Sequence, residues 1–172
     1  MTVDLAAPHA SPFGEAMDRT VSSAETPNGG ISGQILGWYV PRITFHHGYA
    51  RRAGDAKVAA DLAELARLLF RDRMLRWRRV MAEHGLSQPR LLTGHREEWR
   101  QARDTMAVTG ASSDGSMTVL SSGLLEWSVS VRPGTVDELD DVDLGRAATE
   151  AATRMIESWV EGLSRLNREM LR

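Results

Sequence analysis

The stretch SDGSMTVLSSGLLEWSVSVRPG, residues 113–134, decides the reading of this chain. Asp114-Gly115 is a turn dipeptide. A short alternating segment follows, with Met117 and Val119 on either side of Thr118. After Ser121-Ser122-Gly123, Trp127, Val129 and Val131 alternate with Ser128 and Ser130. Period-two alternation on both sides of a glycine turn spells a small hairpin. A lone hairpin is marginal in water, so it needs apolar surface from elsewhere in the chain.

The flanking segments supply helices. Downstream, Leu144, Ala148, Ala151, Met155, Trp159, Leu163, Leu166 and Met170 form one apolar stripe at helical spacing. Asp140, Asp141 and Asp143 sit before or within its first turn, where negative charge suits the helix dipole. Upstream, TGHREEWRQARDTMAVTG reads as a helix that Thr93 can cap, with Trp99, Ala102 and Met106 on one face.

The first part of the chain repeats this order. Phe13, Met17 and Val21 mark a short helix, and TPNGG is a turn. ISGQILGWYVPRITFHHG then reads as strand, tight turn, strand, with Ile43 and Phe45 inward. Pro41 lacks an N–H, which makes this strand an edge or breaks it. A long helix follows, on which Val58, Leu62, Leu65 and Leu69 make one stripe. Asp55 is read as its N-cap and Gly85 as its C′ residue, with Pro89 as a further stop.

A shift of 86 residues aligns the two parts without a gap. Gly29, Gly37 and Gly48 fall on Gly115, Gly123 and Gly134, and Asn28 falls on Asp114. Ile43 and Phe45 fall on Val129 and Val131, and Asp55 falls on Asp141. Self-similarity at a fixed interval marks a repeated unit. A unit of about 80 residues has a thin core. Two of them solve this by covering each other's apolar faces. The expected fold is therefore α+β: two tandem helix–small antiparallel sheet–long helix units packed as an intramolecular pseudo-dimer. The expected division is a flexible N-terminus (1–12), a first unit (13–88) and a second unit (89–172). Pairing of two such fused chains is left open.

Of the 172 residues, 42% are hydrophobic and 26% charged, the balance of a globular domain. No apolar run is long enough for a membrane span, and the N-terminal residues lack the pattern of a signal peptide. There is no cysteine, which excludes disulfides and thiolate metal sites and fits a reducing cytoplasm. Net charge is −2, but residues 51–110 carry 13 basic and 8 acidic side chains, and residues 111–172 carry 6 and 11. Such asymmetry marks either a polyanion-binding face or two solvated helices of opposite sign.

RDRMLRWRR, residues 71–79, is the candidate contact surface. Arg71, Arg73, Arg76, Arg78 and Arg79, extended by Arg51 and Arg52, are read as DNA phosphate contacts. Trp77 can stack on a base or pack in the core. Asp72 weakens the run. His46 and His47 point to opposite faces of a strand, so no metal site is expected there. His9, His84 and His95 are isolated and read as surface residues. ASSDGS lacks the strand–turn–helix setting of a nucleophile elbow, and no phosphate-cradling glycine loop with a lysine occurs. The five tryptophans, spread through the elements, read mainly as core. No cofactor and no enzymatic activity are expected.

AVTGASSDGSMTVLSSGLLEWSVSVRPGTVDELDDVDLGRAATEAATRMI resembles the YbaB/EbfC family of small nucleoid-associated proteins. MTVLSSG, VSVRP and ELDDVDLGRAATEAA stand where the family has its first strand, its second strand and the acidic entry to its long helix. The likeness covers about residues 99–159, and the earlier copy matches more weakly, departing at Pro41 and at His46-His47. The resemblance implies a tandem version of the family's homodimer and DNA binding in the nucleoid with weak sequence readout. It also implies an alternative. Related proteins in type VII (ESX) secretion loci, including the EspL and EspD groups, look like protein-binding adaptors or chaperones.

Overall fold

The structure is a computed structural model and describes residues 11–86 and 96–170. The element order is α1 (Pro12–Asp18), β1 (Val21–Glu25), β2 (Ile31–Leu36), β3 (Val40–Phe45), α2 (Tyr49–Ala53) and α3 (Asp55–Glu83). The order then repeats as α4 (Arg96–Thr105), β4 (Ala107–Ala111), β5 (Met117–Ser122), β6 (Glu126–Val131), α5 (Thr135–Glu138) and α6 (Asp141–Met170). Each strand of the second half begins and ends 86 residues after its counterpart, and α6 begins 86 residues after α3. The pairing registers match as well: Ser23 faces Gln34 and Thr109 faces Leu120. The chain is α+β, with two antiparallel sheets ordered β1-β2-β3 and β4-β5-β6.

The sheets have three strands rather than the two of the expected hairpins. Val21 and residues 107–110, which the sequence pattern places at helix ends, belong to β1 and β4. The inward residues there are Ser22, Ala24, Val108 and Gly110, which gives almost no apolar alternation. At Gly110 no side chain fits, because a long helix crosses close by. A Cβ on Gly110 would lie 2.2 Å from Met155 N and 2.3 Å from Ala151 O.

The equal turns have equal chemistry. Asn28 Oδ1 accepts from Gly30 N at 3.0 Å, and Asp114 Oδ1 accepts from Ser116 N at 2.9 Å. Between them and their strands sit Gly29 and Gly115, at φ of 68° and 67°, a region that favours glycine. α1 is capped by Ser11, whose Oγ accepts from Gly14 N at 3.0 Å; Ser11 and Pro12 fall in the segment expected to be flexible. Asp140 Oδ1 accepts from Val142 N and Asp143 N and caps α6. At the end of α3, Gly85 adopts φ of 63° and Leu86 N donates back to Met81 O, a Schellman-type stop. Thr93, Pro89, His9 and His95 lie outside the described residues.

Asp55 is not the N-cap of α3; Gly54 holds that position. The Asp55 carboxylate instead crosses to the second half, accepting from Gly134 N at 2.7 Å and Val136 N at 3.0 Å. Asp141, 86 residues on, accepts from Gly48 N at 2.7 Å. The short helices α2 and α5, which those glycines introduce, were not legible in the pattern.

The long helices take the sheet edges. α6 packs on β4 and β5 of its own half and on β3 of the other. Thr149 Oγ1 accepts from Ile43 N at 3.0 Å, while Arg154 Nη1 and Ser158 Oγ donate to Ala111 O and Thr109 O. α3 packs on β1, β2 and β6, and Asp72 accepts from Ser23 N at 3.1 Å. Edge groups left free are templates for aggregation, and helix cover removes them.

One apolar cluster runs through both halves, from Ile31, Phe45, Leu65 and Leu69 to Met117, Leu144, Met155 and Trp159. Burying side chains such as Ile31, Leu65 and Leu144 contributes roughly 1.5–3 kcal/mol each. A second cluster, Phe13, Met17 and Met81 with Trp38 and Trp77 against it, fixes α1 to the far end of α3.

Candidate functional site

The outer face of α3 is where the basic run meets solvent. At 100° per residue, positions 67, 71, 75, 78 and 79 share one side of the helix. All five are exposed. Arg67 pairs with Glu64 at 3.0 Å. Arg71, Arg78 and Arg79 make no ion pair or hydrogen bond among the described residues. Leu75, 56% exposed, stands in the middle of this arginine stripe.

The other predicted arginines are elsewhere. Arg73 lies on the flank of α3, half-buried, where Nη1 donates to Gly37 O at 2.8 Å. Its guanidinium stacks 5.6 Å from the Tyr39 ring centroid. Burial lowers the Arg73 pKa and raises that of Tyr39; their mutual attraction works against both shifts. Arg76 Nε donates to Asp72 at 2.6 Å, so the acid that interrupts the run neutralises Arg76 and holds the β1 edge. Arg51 and Arg52 are exposed on α2. They precede α3, and at 1.5 Å per residue Arg71 lies about 24 Å along the α3 axis from its first residue, Asp55. They form no patch with it. Trp77 packs against the Phe13–Met17–Met81 cluster and is not free to stack on a base. Helical phase alone separates Arg73 from Arg71 by about 200°; the exposed Leu75 is in phase with the outer arginines, and only helical phase, not the charge pattern, points to it.

A second polar cluster joins the first turn to α3. Buried Asp61 accepts from Tyr49 OH, Lys57 Nζ and Asn28 Nδ2. Burial alone would push the Asp61 pKa up, but hydrogen bonds from Lys57, Tyr49 and Asn28 outweigh it and hold the carboxyl below its usual value. Burial, then the hydrogen bond to Asp61, raises the Tyr49 phenol; the separate bond that Lys57 donates to Asp61 raises Lys57. The ring of Tyr49 fills the space beside Gly30, where a Cβ would approach within 2.3 Å. Every polar atom named is committed to a partner inside the cluster, so it fastens turn to helix.

The histidines diverge: His46 faces Glu25 and His47 faces Asp141, each at 3.6 Å. His84 is exposed, its Nδ1 2.9 Å from Val80 O. Among the described residues no group of three or more His, Asp or Glu is placed to hold a metal. None of the described helices is long and apolar enough to cross a membrane. Trp159 is buried, and the half-buried Trp99 and Trp127 donate to Asn167 Oδ1 and Leu124 O. No family model, curated protein or solved structure matches the chain.

Proposed function

We propose that the chain is a non-enzymatic binding protein, a single-chain pseudo-dimer of two YbaB-like units that contacts DNA phosphates through the outer stripe of α3. The recurrence of every strand at one interval and the reciprocal Asp55–Gly134 and Asp141–Gly48 hydrogen bonds support the pseudo-dimer. The observation that carries the DNA reading is the exposed, unneutralised trio Arg71, Arg78 and Arg79. Guanidinium groups bind phosphate oxygens in bidentate fashion, and contacts of this kind position a protein without reading bases.

The test is fluorescence anisotropy of a labelled duplex across a salt series. Three phosphate contacts give a slope of log K against log salt of about −3. Arg71→Ala, Arg78→Ala and Arg79→Ala together should remove that slope with the fold unchanged. A duplex that fails to bind at low salt sinks the reading. The second reading, a protein-binding adaptor or chaperone of the type VII secretion kind, then takes its place. It has its own support in the exposed Leu75 and in the cross-strand row Val21–Leu36–Val40 on the outer face of the first sheet, where Val21 and Val40 are 43% and 57% exposed.

A further inference from the structure

The two halves differ along their long helices. Asp72 and Arg76 hold each other beside β1. The residues 86 further on are Ser158 and Gly162, which leave an open groove between α4, β4 and α6. Met106, Gly162 and Leu166 line it, with Glu161, Arg165 and Glu169 exposed around them. Met106 Sδ would lie 2.6 Å from a Cβ on Gly162, so the missing side chain there is what lets the thioether reach the helix. On the exposed face beside the groove, Glu157 and Glu161 stand at the positions of Arg71 and Leu75. One half therefore presents an apolar knob among arginines, and the other presents a groove floored by Met106, Gly162 and Leu166, with Glu157, Glu161 and Glu169 against Arg165 and Arg168 around it.

We propose that these two features are complementary surfaces: Leu75 of one copy, with Arg71 and Arg78 on either side, seats in the α4–β4–α6 groove of a second copy, against its Glu157, Glu161 and Glu169. The occupant is a second copy of this chain because the arginines of the stripe and the excess of glutamates around the groove are opposite in charge, while at the corresponding positions of the first half Asp72 and Arg76 pair with each other. The contact joins unlike surfaces. It is heterologous, so it builds a ring if the rotation closes and a chain if it does not. The inference does not rest on DNA binding, although both use the same face of α3 and so exclude one another there.

The experiment is sedimentation velocity on the full chain over a concentration series, at low and high salt. The expected result is growth from the 19.0 kDa monomer to larger species with rising concentration, weakened by salt. Glu161→Arg with Glu169→Arg should weaken association by about tenfold or more and leave duplex affinity no lower. Arg71→Glu with Arg78→Glu should abolish both. Mixing these two variants should restore association, because reversed stripe then meets reversed groove. A chain that stays monomeric at all concentrations overturns the proposal. So does association that survives either reversal, or a mixture that fails to recover; loss of duplex binding alone in the stripe variant assigns that face to DNA.

Discussion

At the residue scale, the turn carboxylate of the second half is held far from its ordinary ionisation. Asp114 accepts from Ser112 Oγ, Ser116 N and Ser116 Oγ, and those bonds pull its pKa down to about 2. A carboxyl lowered by folding contributes stability that is complete above its unfolded value of about 3.9. That contribution is lost as pH falls through about 2. Asn28 performs the same task in the first half without a charge, accepting from Gly30 N and Thr26 Oγ1. Asp114→Asn should therefore keep the turn and remove its pH dependence. Melting temperatures of the two proteins should converge as pH falls from 4 to 2. A gap of constant width would show that the ionised carboxylate is not its source.

At the element scale, α3 sorts its arginines by direction. Arg73 is turned inward to the β2–β3 turn, with a carbonyl and an aromatic ring as partners. Arg73→Ala should cost about 1–2 kcal/mol, from one charged hydrogen bond and a shielded cation–π contact. Arg71→Ala, on the exposed face, should change stability by less than about 0.5 kcal/mol. Chemical denaturation of both variants checks the split, and equal losses would mean that Arg73 is not fastened as described. The sequence pattern made the run basic; the phase of the helix and the position of Gly37 decided which members of it reach solvent.

At the scale of the whole molecule, the halves share one core and exchange two aspartates. Asp55 and Asp141 each satisfy backbone N–H groups in the other half. Charge-assisted bonds of this kind contribute about 1.5 kcal/mol each. Asp55→Ala with Asp141→Ala should lower the melting temperature measurably. Unfolding should stay a single transition, because the apolar cluster still spans both halves. Two resolved transitions by calorimetry would mean that each half carries its own stability and that the shared core contributes little. The repeat predicts that the halves need each other; the direction of the aspartates shows one way they are held.

The amino-acid sequence by itself determined the class of the fold, the interval of the repeat, the two long helices and the tight turns, because all of these are written in local periodicity and in glycine, asparagine and aspartate chemistry. Only the tertiary structure decided that each sheet has a third strand, since Ser22, Ala24, Val108 and Gly110 make a weak apolar alternation and Gly110 lacks a side chain where a helix distant in sequence passes against it. It likewise decided that Asp55 caps the other half and that Arg73 and Arg76 are withdrawn from the basic face. Those outcomes depend on which backbone groups lie nearby in space, and that is set by how the two halves pack rather than by the order of residues within either.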